Sequence, residues 1–188
     1  MDQYDLVVIG GGPAGYAAAM RGIDFGKRVC LIERDRVGGA GVYNGALSSK
    51  TLWELSNRVV NVNSTISKNK SFEFTIPWDK IQQNVQEAIF ERKFQYSCHI
   101  KLLQTETLNR LFQYERGVGK LLSKNEVEIK HEGTCKTIWA ENIVLATGSR
   151  PRVLSQFKVD EKFILTSNGI DQISDYPESI VIVGAGVI

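Results

Sequence analysis

The N-terminal part of the chain combines a short apolar run, three glycines and a series of small residues at helical spacing. Residues 6–9 are apolar and mostly β-branched, which is typical of a parallel strand buried on both faces. Gly10, Gly12 and Gly15 follow, and alanines recur over 14–19. The pattern predicts a strand, a G-x-G-x-x-G turn and a helix in that order.

Each glycine of this turn has a mechanical reason. Gly10 permits the tight turn, Gly12 lets a pyrophosphate approach the backbone, and Gly15 lets the helix pack close to the strand. The free N–H groups at the start of the helix then face the phosphates. Pro13 and Ala14 suit the first helical turn, where a proline gives up an N–H that has no helical partner.

A second strand strengthens this interpretation. Residues 28–33 are mostly apolar and end in Glu33, eighteen residues after Gly15. An acid near this position is expected to bind a ribose. The alternative is a flexible glycine turn before an ordinary core helix, with Glu33 at a solvated strand end. The order of strand, glycines, helix, strand and acid favours a dinucleotide-binding site.

The pattern beyond residue 50 predicts helices first and strands afterwards. Helical spacing favours a helix over 51–60, an exposed loop over 61–74, and a second helix that starts at Pro77 and ends near 111. Alternation with a period of two then predicts half-exposed antiparallel strands. These strands are expected at 113–116, 120–123 and 126–130 and, after a turn at 132–134, at 136–140.

Another apolar run predicts a buried strand near the end of this series. It covers residues 142–145 and is followed by Ala146, Thr147 and Gly148. The backbone of Gly148 permits a close approach, and Thr147 offers a hydroxyl group. The strand end is therefore a second place where a ligand is expected to pass near the backbone.

The last residues repeat the opening theme. Residues 179–183 are apolar and are followed by Gly184 and Gly186, with a linker-like stretch over 151–178 before them. No third glycine, helix or acid follows within the chain. We therefore expect the chain to be a fragment that includes only the start of a second nucleotide-binding module.

Composition narrows the classes of function. The 188 residues are 43% apolar and 23% charged, as in an ordinary globular protein with a real core. A net charge of +2 argues against a dedicated nucleic-acid surface. No apolar run reaches spanning length, and no charged leader precedes an apolar segment, so we expect no secretory signal. The cysteines and histidines lack disulfide or metal-ligand spacing, so we expect free thiols in a reducing cytoplasm and no metal site.

The glycine-rich stretch over 37–50 resembles the FAD- and pyridine-nucleotide-dependent disulfide oxidoreductases. That family, which includes dihydrolipoamide dehydrogenase, follows its second strand with G-G-T-C-x-N-x-G-C-x-P-S-K, and its two cysteines form the redox disulfide. This chain has Gly41 and Ala46 at the cysteine positions and Ser48 at the proline position, and it keeps in register Gly38, Gly39, Gly45, Ser49 and Lys50. Neither replacement forms a thiolate, so dithiol–disulfide chemistry is excluded at this site.

The resemblance also implies cofactors and roles. FAD is expected in the N-terminal site, where Glu33 binds the adenosine ribose, with Arg34 beside it, and NAD(P)H is the expected electron donor. Lys50 matches the family lysine near the flavin N5, although a surface lysine at a helix start is the alternative. Gly119 matches a backbone contact to the adenine, although a β-bulge glycine is the alternative. The end of the strand at Ala146, Thr147 and Gly148 is expected to cross beneath the cofactor.

The predicted fold is α/β. It consists of a Rossmann-like FAD-binding domain over 1–150, with a parallel sheet, helices and a small antiparallel β-meander. A linker over 151–178 and the first strand and G-x-G of an NAD(P)-binding module over 179–188 complete it. The resemblance implies that the parent protein is a cytoplasmic homodimer whose interface lies in a C-terminal domain outside this chain.

Two function classes remain open. The favoured one is an oxidoreductase that takes hydride from NAD(P)H and passes electrons to a second nicotinamide or a quinone, as in soluble pyridine nucleotide transhydrogenases and quinone-reducing relatives. The other is a flavin- or nucleotide-binding relative without turnover. The isolated chain itself is expected to be inactive.

Overall fold

The computed structural model describes residues 1–66, 73–105 and 110–184. Within these ranges it has six strands, four α-helices and one 3-10 turn at Ile170–Gln172. None of the described helices is both long and apolar enough to cross a membrane. The elements in chain order are β1 Gln3–Ile9, α1 Pro13–Asp24, β2 Val29–Glu33, α2 Gly39–Tyr43, α3 Ala46–Ile66, α4 Trp78–Leu103, β3 Phe112–Arg116, β4 Val118–Leu121, β5 Glu126–His131 and β6 Thr134–Leu145.

The strands form one mixed sheet in the order β3-β2-β1-β6-β5-β4. The β1 strand pairs in parallel with both β2 and β6, and β2 pairs in parallel with β3. The β4–β5 and β5–β6 pairs are antiparallel and form the meander. The predicted fold class, a parallel core with helices and an antiparallel meander, is confirmed.

The parallel strands are buried because each face of the sheet packs against another layer. On one face, Val8, Leu31 and Phe112 pack with the apolar side of α1 and with the end of α4. On the other face, a cluster of nine buried residues joins β1 and β2 to the meander. Its members are Tyr4, Val7, Ile9, Cys30, Ile32, Val127, Ile129, Ile138 and Ala140. Burial on both sides explains the continuous apolar runs of β1 and β2.

Two expectations about the strands were wrong. The segment at 113–116 lies in β3, which pairs with β2 in parallel rather than in an antiparallel meander. A period of two indicates which face of a strand is buried and not the direction of its partner. The strands expected at 136–140 and 142–145 are one continuous strand, β6, whose first half pairs with β5 and whose second half pairs with β1.

The helix boundaries also differ from the expectation. The α3 helix starts at Ala46 and includes residues 61–66, which were predicted as part of an exposed loop. Residues 67–72 of that predicted loop lie outside the described residues. The α4 helix ends at Leu103, not near 111, and Ile100 and Leu103 of its last turn are buried against the sheet.

The segment after β6 returns to the N-terminal end of α4. The indole N–H of Trp78 and the amide of Gln82 each donate to the carbonyl of Ile173 at 2.8 Å. The hydroxyl of Tyr176 donates to the carbonyl of Ile76 at 2.9 Å. Residues 179–184 form no strand in the structure, and the apolar side chains of 180–183 are exposed. A single strand has no sheet to join here, so the second module remains a prediction.

Candidate cofactor-binding site

The G-x-G-x-x-G turn lies at the carboxyl end of β1, between the ends of β2 and β6. Gly10 has a φ of +107°, which favours glycine, and its N–H donates to the carbonyl of Ile32 at 2.8 Å. A Cβ on Gly10 would overlap the backbone of Ala146, and a Cβ on Gly15 would overlap the carbonyl of Gly10. These two glycines are therefore required by packing of the turn against the helix and β6.

Gly12 differs from its two neighbours in the motif because the space in front of it is open. It is the N-cap of α1, has an ordinary φ of −68°, and a Cβ there would meet nothing within 4 Å. No side chain among the described residues caps the helix at this point. Pro13 begins the helix and Ala14 is exposed in its first turn. The first N–H groups of α1 thus remain available to an anion.

Glu33 ends β2 with its carboxylate turned toward the glycine turn. The side chain is buried, 9% exposed, and accepts hydrogen bonds from the N–H of Gly11 at 2.6 Å and the N–H of Asp35 at 2.7 Å. A buried carboxylate needs such donors to offset its lost hydration. Arg34 beside it is exposed, and its Nε pairs with the carboxylate of Asp35 at 3.2 Å.

The second glycine-rich stretch packs directly on the first. The N–H of Gly38 donates to the carbonyl of Gly11 at 2.8 Å, and a Cβ on Gly39 would lie 3.1 Å from the Cα of Gly12. Gly38 and Gly39 have φ values of +105° and +46°, which favour glycine. Gly41, in α2, lies against the ring of Pro13. The two loops therefore form one surface around the start of α1.

The meander supplies the opposite wall of this edge. A Cβ on Gly119 would lie 3.0 Å from the Cγ2 of Ile9 and 3.4 Å from the Cγ2 of Ile32, so β4 crosses the carboxyl ends of β1 and β2. The N–H of Gly117 donates to the backbone carbonyl of Glu33 at 2.9 Å. Its φ is +155°, and a Cβ there would crowd Lys130.

The remaining predicted residues fall into three groups. Ala146 lies within the cluster, and Thr147 and Gly148 follow it as exposed residues. Lys50 is exposed in α3. Gly184 has a φ of +123° but meets nothing within 4 Å, and Gly186 lies outside the described residues.

Two participants, Gly11 and Asp35, were missed from sequence, whereas the resemblance already implies that Gly117 belongs with Gly119 to a strand near the adenine. Gly11 and Asp35 donate to the Glu33 carboxylate, and Gly117 donates to its backbone. The unbroken glycine triplet 10–12 was a usable signal for Gly11, because a middle glycine lets the backbone approach a side chain. Indeed, a Cβ on Gly11 would lie 3.1 Å from the Cβ of Glu33. The other two donors depend on contacts between separate elements, which local sequence does not specify.

The thiols lie outside this cluster. Cys30 is buried in β2, and burial raises the pKa of its thiol to about 12. Cys98 and Cys135 are exposed, and a hydrogen bond to Glu128 raises the pKa of Cys135. Among the described residues no group of His, Cys, Asp and Glu is arranged to hold a metal ion.

Several curated proteins are similar to the chain over its full length. A mitochondrial dihydrolipoyl dehydrogenase from Dictyostelium discoideum is 30% identical over 194 residues, which cover 100% of this chain and 38% of that protein. A leghemoglobin reductase from Glycine max is 32% identical over 198 residues, with coverage of 100% and 35%. A soluble pyridine nucleotide transhydrogenase from Mycobacterium bovis is 29% identical over 193 residues, with coverage of 100% and 40%. The chain thus spans no more than 40% of the length of these relatives.

Solved structures share the fold. LpdA from Mycobacterium tuberculosis matches with a TM-score of 0.70 at 22% identity, over 92% of this chain and 37% of that one. The Cu(II) complex of the HOCl-induced flavoprotein disulfide reductase RclA from Escherichia coli matches with a TM-score of 0.63 at 19% identity, over 82% and 31%. At these identities the likeness establishes the fold alone, which is a Rossmann-like parallel sheet with helices and an antiparallel meander.

A family model provides the assignment. The model described as pyridine nucleotide-disulphide oxidoreductase matches residues 4–188, which include both glycine-rich stretches and the end of β6. The relatives that match the whole of this chain, and the solved structures that share its fold, agree with this match. The chain belongs to the pyridine nucleotide-disulphide oxidoreductase family.

Proposed function

We propose that the protein containing this chain is an FAD-dependent oxidoreductase that accepts hydride from NAD(P)H and passes the electrons to an acceptor other than a disulfide. A second nicotinamide or a quinone fits this description. One observation carries the proposal: the glycine loops and Glu33 converge on the start of α1, while the cysteine positions hold Gly41 and Ala46. The loops proposed to bind the cofactor are therefore present, whereas both cysteines of the family motif are replaced.

The residues of this edge fit FAD. The open space before Gly12 admits a pyrophosphate to the free N–H groups of α1, whose positive end favours an anion. Glu33 is held in place by two backbone donors, and its oxygens retain acceptor capacity for ribose hydroxyls. The other proposed contacts come from the loop before α2, the meander and the end of β6, namely Arg34, Gly38, Gly39, Gly41, Gly119, Ala146, Thr147 and Gly148.

When bound, FAD supplies the hydride acceptor, and the chain supplies position and charge. The pyrophosphate subsite would hold the middle of the cofactor, where the phosphates join its adenosine and flavin parts, and the sheet and meander close two sides of the edge. Lys50 is exposed on α3 and carries a cation that is proposed to act near the flavin. The ammonium would favour negative charge that develops there during reduction.

Parts of the proposal lie beyond this chain. We propose that residues 1–150 form the N-terminal part of the FAD domain, that 151–178 link it to the next module, and that 179–188 begin an NAD(P)-binding module. One similar protein is a soluble pyridine nucleotide transhydrogenase, which supports a nicotinamide acceptor. The chain covers no more than 40% of these relatives, and we propose that turnover and the homodimer contact both require residues outside it.

A second candidate is a flavin- or nucleotide-binding relative without turnover. It is favoured by the loss of the family motif at Gly41, Ala46 and Ser48. The retained packing of Gly10, Gly15 and Ala146 suits a bound pyrophosphate and therefore fits both candidates, so only a test of turnover separates them.

The deciding experiment is an absorption spectrum of the complete protein before and after anaerobic addition of NADH. We expect flavin bands that bleach, and reoxidation by a thionicotinamide analogue or a quinone then identifies the acceptor. Flavin bands that persist with both NADH and NADPH would support the non-catalytic candidate. If no flavin bands appear after incubation with FAD, the protein is neither an FAD enzyme nor a flavin-binding relative. A nucleotide-binding module without flavin would then remain.

Glu33 provides the matched variants for this experiment. Glu33→Gln keeps an acceptor for one backbone donor, and we expect about tenfold weaker FAD binding because the charged acceptor for the ribose is lost. Glu33→Ala leaves the buried N–H of Gly11 and the partly buried N–H of Asp35 without this acceptor and should also lower stability by about 1–3 kcal/mol. Flavin fluorescence titration and thermal unfolding separate the two effects. Unchanged FAD affinity in Glu33→Gln would remove Glu33 from the ribose subsite.

A further inference from the structure

Two side chains at the start of α4 donate to the same backbone carbonyl, that of Ile173. The indole nitrogen of Trp78 and the amide nitrogen of Gln82 both lie 2.8 Å from this oxygen. The two donors are four residues apart in sequence, so they lie one turn apart on a single face of the helix. A carbonyl oxygen has two lone pairs and can accept both hydrogen bonds. The backbone at Ile173 is therefore held to α4 by two independent groups.

A second attachment follows three residues later, at Tyr176. Its hydroxyl donates to the carbonyl of Ile76 at 2.9 Å, and its ring packs edge-on against Trp78 with the ring centroids 5.0 Å apart. Trp78 thus contacts the segment twice, through its N–H and through its ring. We call the contacts of Trp78 and Gln82 with Ile173 and Tyr176 the linker clamp.

The linker clamp lies at the point where the chain leaves the FAD domain. Ser179, the first residue of the proposed NAD(P)-binding module, is the third residue after Tyr176, so it lies within about 11 Å of Tyr176 even when the chain is fully extended. Pro177 between them has a fixed φ and restricts the path further. Without the clamp, the last fixed point is Leu145 at the end of β6, and a flexible chain from there to Ser179 has an end-to-end distance of about 30 Å. The clamp therefore greatly reduces the volume in which the next module can start.

We propose that Trp78 and Gln82 are positioning residues for hydride transfer, because they hold the linker on α4 and thereby fix where the NAD(P)-binding module begins. This inference rests on the proposed function. In that reaction NAD(P)H gives up a hydride and becomes NAD(P)⁺, and the flavin takes up the two electrons. Transfer requires the reacting atoms to lie about 3–3.5 Å apart, and a module on a loose linker spends less time in that arrangement. Both residues act through the backbone of the linker and not through a cofactor.

A double-mutant cycle in the complete protein tests the positioning role. Trp78→Phe keeps an aromatic ring beside Tyr176 and removes the N–H, and Gln82→Met keeps a side chain of similar length and removes the amide. Each single variant leaves the Ile173 carbonyl one donor, so the limiting rate of anaerobic flavin reduction at saturating NADH should change by less than about twofold. The double variant leaves it none, and we expect the rate to fall about fivefold or more. The dissociation constants for FAD and NADH should stay within about twofold, and an unchanged rate in the double variant would overturn the inference.

Gln83→Met is the matched control. Gln83 is the next residue of α4, is exposed, and its amide donates to Glu87 of the same helix at 2.7 Å. The substitution removes the same kind of amide from the same helix without a contact to the linker. Trp78→Phe combined with Gln83→Met should therefore reduce the flavin as fast as Trp78→Phe alone. If it is as slow as Trp78→Phe combined with Gln82→Met, a general weakening of α4 explains the result and the inference fails.

Hydrogen exchange separates the clamp from the reaction. The N–H groups of Gln172 and Ile173 donate to backbone carbonyls of their own turn at 3.0 and 3.2 Å, so their exchange reports the opening of the linker. We expect exchange to be several-fold faster when both Trp78→Phe and Gln82→Met are present, and unchanged exchange would show that these residues do not hold the linker. Faster exchange with an unchanged reduction rate would leave the clamp a structural contact only. If neither NADH nor NADPH reduces the wild-type protein, the proposed function and the positioning role fail together, while exchange still decides whether the clamp exists.

Discussion

The chain contains the same strand-and-glycine pattern twice, with opposite outcomes. In the first copy, Val7 and Val8 are fully buried and Gly10 packs on Ala146. In the second copy, Val181 and Ile182 are 88% and 82% exposed, and Gly184 meets nothing within 4 Å. Both leading glycines nevertheless have positive φ, +107° and +123°.

The difference shows what a glycine motif specifies. Local sequence sets the left-handed backbone of the first glycine in both copies, because only glycine adopts it without strain. The close approach that makes a phosphate site requires neighbouring strands and a helix. The first copy has β2, β6 and α1 around it, and the second has none of their equivalents among the described residues.

The largest expected difference between the copies comes from an added methyl group. Gly15→Ala places a Cβ against the carbonyl of Gly10 and 3.0 Å from the Cβ of Ala146, and backbone cannot yield cheaply. We expect a loss of about 3 kcal/mol or more and a melting temperature about 6–12 °C lower by circular dichroism. Gly184→Ala in the same 188-residue chain meets nothing within 4 Å, so only the strain of its positive φ should lower the melting temperature, by about 2–4 °C. Equal losses would mean that the second copy is packed as well.

A smaller effect separates folding from binding within the first copy. Gly12→Ala meets nothing within 4 Å, so the FAD-free protein should melt within about 2 °C of the wild type. The same Cβ occupies the space proposed for the pyrophosphate, and we expect FAD affinity to fall at least about tenfold. Flavin fluorescence titration measures this loss. Full affinity in Gly12→Ala would place the phosphates elsewhere.

The smallest expected effect lies between the two copies, at Asp171. This residue lines a cleft of about 240 Å³ beside Trp78 and Val85, and burial raises the pKa of its carboxyl group. The raised pKa favours the folded state while Asp171 is protonated, and this contribution is lost as the pH rises through the folded pKa. Asp171→Asn should therefore melt about 1–2 °C higher at pH 7, and the difference should vanish below pH 3.8, the ordinary pKa. A gain that persists at low pH would assign the effect to something other than ionisation.

The centre of the sheet was predictable, and its edges were less so. Continuous apolar runs identified β1 and β2, because strands buried on both faces need apolar side chains throughout. The direction of β3 was not predictable, since alternation along Phe112–Arg116 reports faces and not partners. The sequence did not indicate that β6 is one continuous strand, because its two halves pair with different strands and have different patterns of burial.

The site was predictable as a set of positions but not as a set of contacts. Gly10, Gly12 and Gly15 follow from their spacing, and the structure brings them together with Gly38 and Ala146. The hydrogen bonds to Glu33 and the packing of Gly41 against Pro13 are made between loops that come together only in the folded chain. The spacing of residues within one segment does not predict contacts between separate loops.

The order of the strands has a consequence for synthesis of the protein. β1 is synthesised first, whereas one of its two neighbours, β6, is synthesised after the helices and the other strands of the meander. The pairs Gln3–Trp139 and Ile9–Leu145 can therefore form only late in synthesis. Until then β1 exposes an unpaired apolar edge on the nascent chain, which is a template for unwanted pairing. The contact between Gly10 and Ala146 at the end of the sheet can therefore form only after residue 146 has been synthesised.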